Sequence, residues 1–329
     1  MRLFFRTEAS SQIGMGHFMR CFALAEEARA QDVAVTFIMT RADDAVVARC
    51  DQIGAEVAAT GAAVASDGDI AAMVGLGLTR EDWLVIDSYA ADTGYIAFQS
   101  KAAQVAVMDD LALLEHFDCD LLINPAMAAS EMGYAARTGA RLLLGAPYAL
   151  IRREFIQVHS PHTEGRSVAV MFGGADPTGL TGMCAEILHE ALPDATVNIV
   201  VGPANTHTES LLSMQERLLR LRIYPSPDSV AEVLAGSDLV VTAAGGTIGE
   251  VAAMGLPALV LVVYDNQMAA LKACPFPAID ARAGLPDDLG ERVRALVDDP
   301  ARRTEIAAHA HAIVDGQGPA RILEAMRHV

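Results

Sequence analysis

Short runs of apolar, mostly β-branched residues alternate with amphipathic segments rich in alanine and glutamate along nearly the whole chain. Such runs read as buried strands and the segments between them as helices. In the first half the pattern predicts strands at residues 3–5, 35–39, 83–87, 105–109, 121–124 and 141–144, with a helix over 17–30. The second half repeats the theme at 168–172, 197–201, 221–224, 239–242 and 258–263. Strands that are apolar throughout, alternating with helices, imply parallel sheets covered on both faces, right-handed crossovers, and ligands at the strands' carboxyl ends. Between about Phe155 and Arg166 the chain turns polar, "FIQVHSPHTEGR", with Pro161 and Gly165. The expected architecture is therefore α/β, with two doubly wound Rossmann-like domains facing across a cleft, 1–155 and 166–329, and a linker at 156–165. The chain's end reads as two helices parted by a Gly-Gln-Gly turn at 316–318.

A length of 329 residues suits two domains, and the 52% hydrophobic content can fill both cores although aromatics are only 5%. The net charge of −18 excludes nucleic acid and anionic membrane surfaces as expected partners, because no local basic patch offsets it. An anionic ligand would then be held by backbone amides and helix N-termini. Cys21, Cys50, Cys119, Cys184 and Cys274 form no CxxC pair, which predicts free thiols in a reducing compartment. Arg6 and Glu8 interrupt any signal-peptide core, and the longest apolar stretch, 251–264, is broken by Gly255 and Pro257. These features lead to the expectation of a cytoplasmic protein, taken to act as a monomer.

Four loops follow predicted strands. In "ASSQIGMGHFMR", Gly14 and Gly16 precede His17 at a helix start, where glycine allows close backbone approach and the helix offers free amides. The third glycine of a dinucleotide fingerprint is missing, so NAD is not expected. His17 itself reads either as a first-turn residue with a local hydrogen bond or as a functional group. "FGGADPTGLT" places Gly173 and Gly174 before a helix opened by Pro177 or Thr178, and "TAAGGTIGE" places Gly245, Gly246 and Thr247 at another helix start. Both loops leave the same sheet edge, which favours a diphosphate ligand, with Glu250 in reach of ribose hydroxyls. In "VVYDNQ", Asp265, Asn266 and Gln267 are a cap or a ligand clamp. Asp87, Tyr89, Asp109 and Asp110 end strands of the first half and are expected to share a rim with His17. A carboxylate beside a histidine fixes its tautomer, as a general base requires. No HExxH or EF-hand pattern occurs, and His309 and His311 point apart on a helix, so neither a metal nor another cofactor is expected.

In order along the chain, "ASSQIGMGHFMRCFALA", "DDLALLEHFDCDLLIN", "YALIRREF", "GGADPTGLT" and "AAGGTIGEVAAMGLPALVLVVYDNQ" resemble the UDP-sugar hydrolases of pseudaminic acid biosynthesis. Members of that family cleave UDP from UDP-2,4-diacetamido-2,4,6-trideoxy-β-L-altropyranose. Their fold resembles the lipid-linked N-acetylglucosaminyltransferase of peptidoglycan synthesis, the two-domain GT-B type. The resemblance covers about the first 267 residues with wide gaps, and "IGxGHxxR" followed by "CDLLxN" is its most specific part. It implies that His17 is the catalytic base, with Asp87 and Tyr89 beside it. Gly14, Gly16, Arg20, Asp109, Asp110, Asn266 and Gln267 would contact the sugar. Gly173, Gly174, Gly245, Gly246, Thr247 and Glu250 would hold the nucleotide. The chain departs from the pattern after Gln267, where "MAALKACPFPAIDARAG" stands in place of a longer helix and strand. The implied reaction is attack of water on the anomeric carbon with inversion, without a metal. Two other readings fit the same residues. A GT-B glycosyltransferase would need an acceptor for turnover, and a nucleotide-sugar binding protein would be indifferent to loss of His17.

Overall fold

In the computed structural model, residues 1–9, 15–158 and 166–329 are described, and Gly14 lies outside them, as does most of the expected linker. The described chain divides into two compact units, Met1–Arg153 with Gln317–Val329, and Glu154–Gly316.

The first unit carries seven strands: β1 (Arg2–Thr7), β2 (Ala34–Met39), β3 (Glu56–Ala59), β4 (Trp83–Asp87), β5 (Gln104–Met108), β6 (Leu121–Asn124) and β7 (Arg141–Leu144). They lie in the order β3-β2-β1-β4-β5-β6-β7, all parallel. The chain fills the sheet outward from β1 in one direction, then returns to β1 and fills the other. The reversal falls between β1 and β4, where Thr7 pairs in register with Asp87. At such a switch point the crossover helices diverge to opposite faces and leave a crevice at the carboxyl ends.

The second unit repeats the plan with β8 (Arg166–Met171), β9 (Ala195–Val201), β10 (Leu221–Pro225), β11 (Leu239–Ala243), β12 (Ala258–Val262) and β13 (Ala278–Asp280). Their order is β10-β9-β8-β11-β12-β13, again parallel, with the reversal between β8 and β11. Every strand inferred from hydrophobic pattern is present. The pattern missed β3 and β13, both edge strands whose residues are partly exposed. The atypical segment after Gln267 forms a four-residue helix, Ala270–Ala273, before β13.

Helices cover both faces because central strands such as β4 and β12 are buried at every position. On one face of the first sheet, Phe18, Phe22 and Leu24 of the Gly16–Ala30 helix pack on Phe5 and Phe37. The last helix, Gly318–Arg327, belongs to this unit and not to the second domain expected from sequence. Its apolar face, Ile322, Leu323 and Met326, is buried in the first core, and Trp83 Nε1 donates to the Met326 carbonyl at 3.2 Å. Among the described residues no helix is long and apolar enough to cross a membrane. All five cysteines are free, with Cys21, Cys50 and Cys184 buried.

Candidate active site

The Gly16–Ala30 helix starts at the β1 side of the first switch point, and its N-cap residue Met15 makes no side-chain capping hydrogen bond. His17 and Arg20, three residues apart, project from one face. Asp87 ends β4 directly across. Its side chain is fully buried, and three groups hold it: His17 Nδ1 lies 2.6 Å from Oδ1, Arg20 Nε donates to Oδ2 at 2.6 Å, and Arg20 Nη2 donates to Oδ1 at 2.5 Å. The Cys21 thiol, also buried, donates to Oδ2 at 3.5 Å. Burial pushes the Asp87 carboxyl up, but the Arg20 guanidinium and His17 imidazole outweigh it and hold it below the ordinary carboxylate range. Asp87 is thus an ionised acceptor, so His17 Nδ1 carries the proton. In the neutral ring that tautomer makes Nε2 the acceptor, as a base requires.

Arg20 also donates through Nη1 to Asp110 Oδ2 at 2.9 Å, and the Tyr89 hydroxyl donates to the same oxygen at 3.1 Å. Tyr89 stands edge-on to the His17 ring, centroids 4.6 Å apart and planes at 83°. Burial, then its bond to Asp110, pushes the Tyr89 phenol up to about 12, so it stays a neutral donor. One guanidinium therefore faces two carboxylates, Asp87 and Asp110.

The structure brings His17, Arg20, Asp87, Tyr89 and Asp110 together. Asp109 goes elsewhere: Oδ2 accepts from the Tyr134 hydroxyl at 2.6 Å and the Ala112 amide at 2.8 Å, so it ties the loop after β5 to the core. Gly16 has open space around it and a backbone that any residue could adopt, so the described geometry shows no steric demand for glycine there. Cys21 was missed because a thiol four residues after a histidine is indistinguishable in sequence from core filling.

In the second unit, the loops after β8, β11 and β12 line a cavity of about 130 Å³. Gly173, Gly245, Gly246, Thr247 and Gln267 form its wall together with Asp176. Glu250 lies one turn into the Thr247–Ala253 helix and is not among the lining residues. Gln267 Oε1 accepts from the Val263 amide at 3.0 Å, which fixes its side chain as a cap to β12. Asp265 pairs with Arg282 at 2.5 Å, and the side chain of Asn266 lies outside the description.

The helix after Gly173–Gly174 begins at Leu180, later than the Pro177 or Thr178 start expected from sequence. The reason is Asp176. Its carboxylate accepts from the Leu180 and Thr181 amides at 3.0 and 2.9 Å, so an internal anion already occupies that helix start. This shifts the open amides of the cavity to the Gly246–Thr247 turn. Gly174 instead packs on Gly202, where a Cβ would lie 2.4 Å from the Gly174 Cα and carbonyl oxygen. Gly202→Ala is expected to cost about 1–3 kcal/mol by forcing the two backbones apart. A lowered urea midpoint of the second unit, followed by circular dichroism, checks it.

No protein-family model matches the sequence. The chain is 25% identical over 282 residues to the uncharacterized protein MJ1062 of Methanocaldococcus jannaschii, covering 82% of this chain and 56% of that protein. It therefore spans little more than half the length of that relative. It is 23% identical over 255 residues to the UDP-2,4-diacetamido-2,4,6-trideoxy-beta-L-altropyranose hydrolase of Campylobacter jejuni, covering 76% of this chain and 87% of that one. Among solved structures, Anabaena Alr3699/HepE in complex with UDP superposes with a TM-score of 0.61 at 16% identity, covering 100% of both chains. The two parallel-sheet α/β domains are those of the GT-B fold.

Proposed function

We propose that the protein is a nucleotide-sugar hydrolase that releases UDP from a UDP-2,4-diacetamido-2,4,6-trideoxyhexose, as a step in making a pseudaminic-acid-type nonulosonate. The observation that carries this reading is the buried Asp87 carboxylate fixing His17 through Nδ1. A histidine so held serves to take a proton from a small nucleophile, and water is the simplest one. His17 Nε2 accepts the proton as the water oxygen bonds to the anomeric carbon. The bond from that carbon to the diphosphate oxygen breaks, UDP departs with the electron pair, and the sugar leaves with inverted configuration. The cavity of the second unit is assigned to the diphosphate, with the Gly246–Thr247 turn as its donor and Gly173 giving room for close approach. The name of the Campylobacter jejuni relative and the UDP bound to the HepE structure agree with this assignment.

Incubating the full chain with UDP-2,4-diacetamido-2,4,6-trideoxy-β-L-altropyranose and no acceptor should give steady UDP release. Proton NMR should show the inverted anomer first. His17→Gln should lower kcat by about 10²–10⁴-fold, the usual contribution of a positioned base. UDP release that appears only with a sugar or lipid acceptor would make the protein a transferase, and an unchanged His17→Gln would remove the base.

A further inference from the structure

The cavity at the carboxyl ends of β8, β11 and β12 has one charged side chain among its described lining residues, and the charge is negative. That side chain is Asp176, 5% exposed, with its two oxygens accepting from the Leu180 and Thr181 amides. Thr178, Thr242, Thr247 and Gln267 are the neutral polar side chains of the lining, and no described arginine, lysine or histidine belongs to it. The Asp176 backbone has φ +40°, in the left-handed region where glycine sits at less cost. Glycine there would relieve the backbone and leave the Leu180 and Thr181 amides open to a ligand. The chain places an anion on them instead.

A charge beside a water-poor cavity acts on whatever enters, whether or not the two groups touch. On an anion the effect is repulsive, and it grows with each charge the anion carries. The diphosphate of a UDP-sugar carries two charges, because its outer phosphate is esterified to the sugar. Cleavage frees one oxygen of that phosphate, and above about pH 6 the freed group ionises a second time. Water and a dianionic diester thus give neutral sugar, trianionic UDP and one proton. At this cavity, product differs from substrate by one negative charge.

We infer that Asp176 is a product-release residue: its carboxylate weakens the hold of the cavity on UDP more than on the diphosphate of the intact UDP-sugar. This deepens the hydrolase reading and rests on it for the reaction and for the place of the diphosphate. The departing UDP gains part of the same charge in the transition state, so Asp176 also slows bond cleavage. Its removal should therefore speed cleavage and retard release, whereas loss of a residue that only shapes the loop would slow the first and weaken binding of both nucleotides alike.

The test measures, by calorimetry on the full chain at about pH 8, the Kd of UDP and of its β-methyl ester, which stays at two charges above the second ionisation. Asp176→Asn keeps the size of the side chain and tolerates the positive φ. It should lower the Kd of UDP by about tenfold and that of the ester by less, since opposing like charges are costly across a binding surface. With enzyme in excess, a single turnover of the diacetamido UDP-sugar should be faster in the variant. Equal changes in both dissociation constants, a weaker hold on UDP, or slower cleavage overturn the inference while leaving hydrolysis intact. If wild type binds UDP but cleaves no UDP-sugar, the hydrolase reading fails and the two dissociation constants alone decide. If wild type binds neither nucleotide, the diphosphate assignment fails and the inference falls with it. Asp176→Gly, which suits the same φ, should shift the two constants in the same sense and keeps the test open should asparagine disturb the helix start.

Discussion

Asp87→Asn should lower turnover of the UDP-sugar by about 10²–10⁴-fold, as much as loss of the base itself. Both carboxylate oxygens accept: Oδ1 from His17 Nδ1 and Arg20 Nη2, Oδ2 from Arg20 Nε. An asparagine must turn its amino group toward one of these sets, so a donor meets donors whichever way it sits. The imidazole then loses its enforced tautomer, and Arg20, which is largely buried, keeps only Asp110. Removing one partner of a buried ion pair typically costs ~3–5 kcal/mol of stability, so activity must be normalised to folded protein. The acid side offers a separate check. The Asp87 carboxyl lies below its ordinary 3.8 in the fold, so its stabilisation is complete above that value and is lost as pH falls through the lowered one. Wild type should lose stability on acidification below about pH 4, and Asp87→Asn should lose less over the same interval. Equal acid sensitivity in both would mean that the clamp does not hold Asp87 ionised.

The largest effect on stability is expected from Arg6→Met, which should destabilise the first unit by about 3–5 kcal/mol. Arg6 is fully buried near the end of β1. Its Nε and Nη2 lie 2.9 Å from Asp69 Oδ1, itself fully buried, and Nη1 lies 2.5 Å from Glu8 Oε1. The remaining donors reach the carbonyls of Ile38 and Ala62 and the hydroxyl of Thr40. Methionine fills the space but leaves the buried Asp69 charge without its cation, holding the Ala65 amide at 3.2 Å, while Glu8 keeps Thr40, whose amide and hydroxyl donate to it at 3.2 and 2.8 Å. The double variant Arg6→Met/Asp69→Leu should recover a large part of the loss, because an apolar pair of similar volume avoids the cost of burying charge. Trp83 is the sole tryptophan and sits in β4 against the last helix. Its fluorescence in urea therefore reports this unit alone, free of the second unit's transition. A single variant within ~0.5 kcal/mol of wild type would show the network to be dispensable. Since Glu8 leads toward the segment before His17, Arg6→Met should also raise KM, whereas a purely structural role would leave the folded fraction with normal kinetics.

Most of the strands could be read from the chain because central parallel strands are apolar at every position, a signal local to a few residues. β3 and β13 have no buried position, unlike the edge strands β7 and β10, and so escaped it. The helix presenting His17 and Arg20 was likewise legible, since its pattern is local to one segment. Which carboxylate meets them was not. Asp87 ends β4 and Asp109 and Asp110 follow β5, and only the strand order, with β4 beside β1, sets Asp87 across from the helix while Tyr134 draws Asp109 away. The same holds for Asp176, whose position in "GGADPTG" looks like part of a ligand loop until its carboxylate is found on the Leu180 and Thr181 amides. The sequence by itself thus determined the elements and the residue types offered at their ends. Tertiary structure alone decided the pairings, because a hydrogen bond 70 residues apart in the chain depends on how the sheet is wound, not on any local pattern.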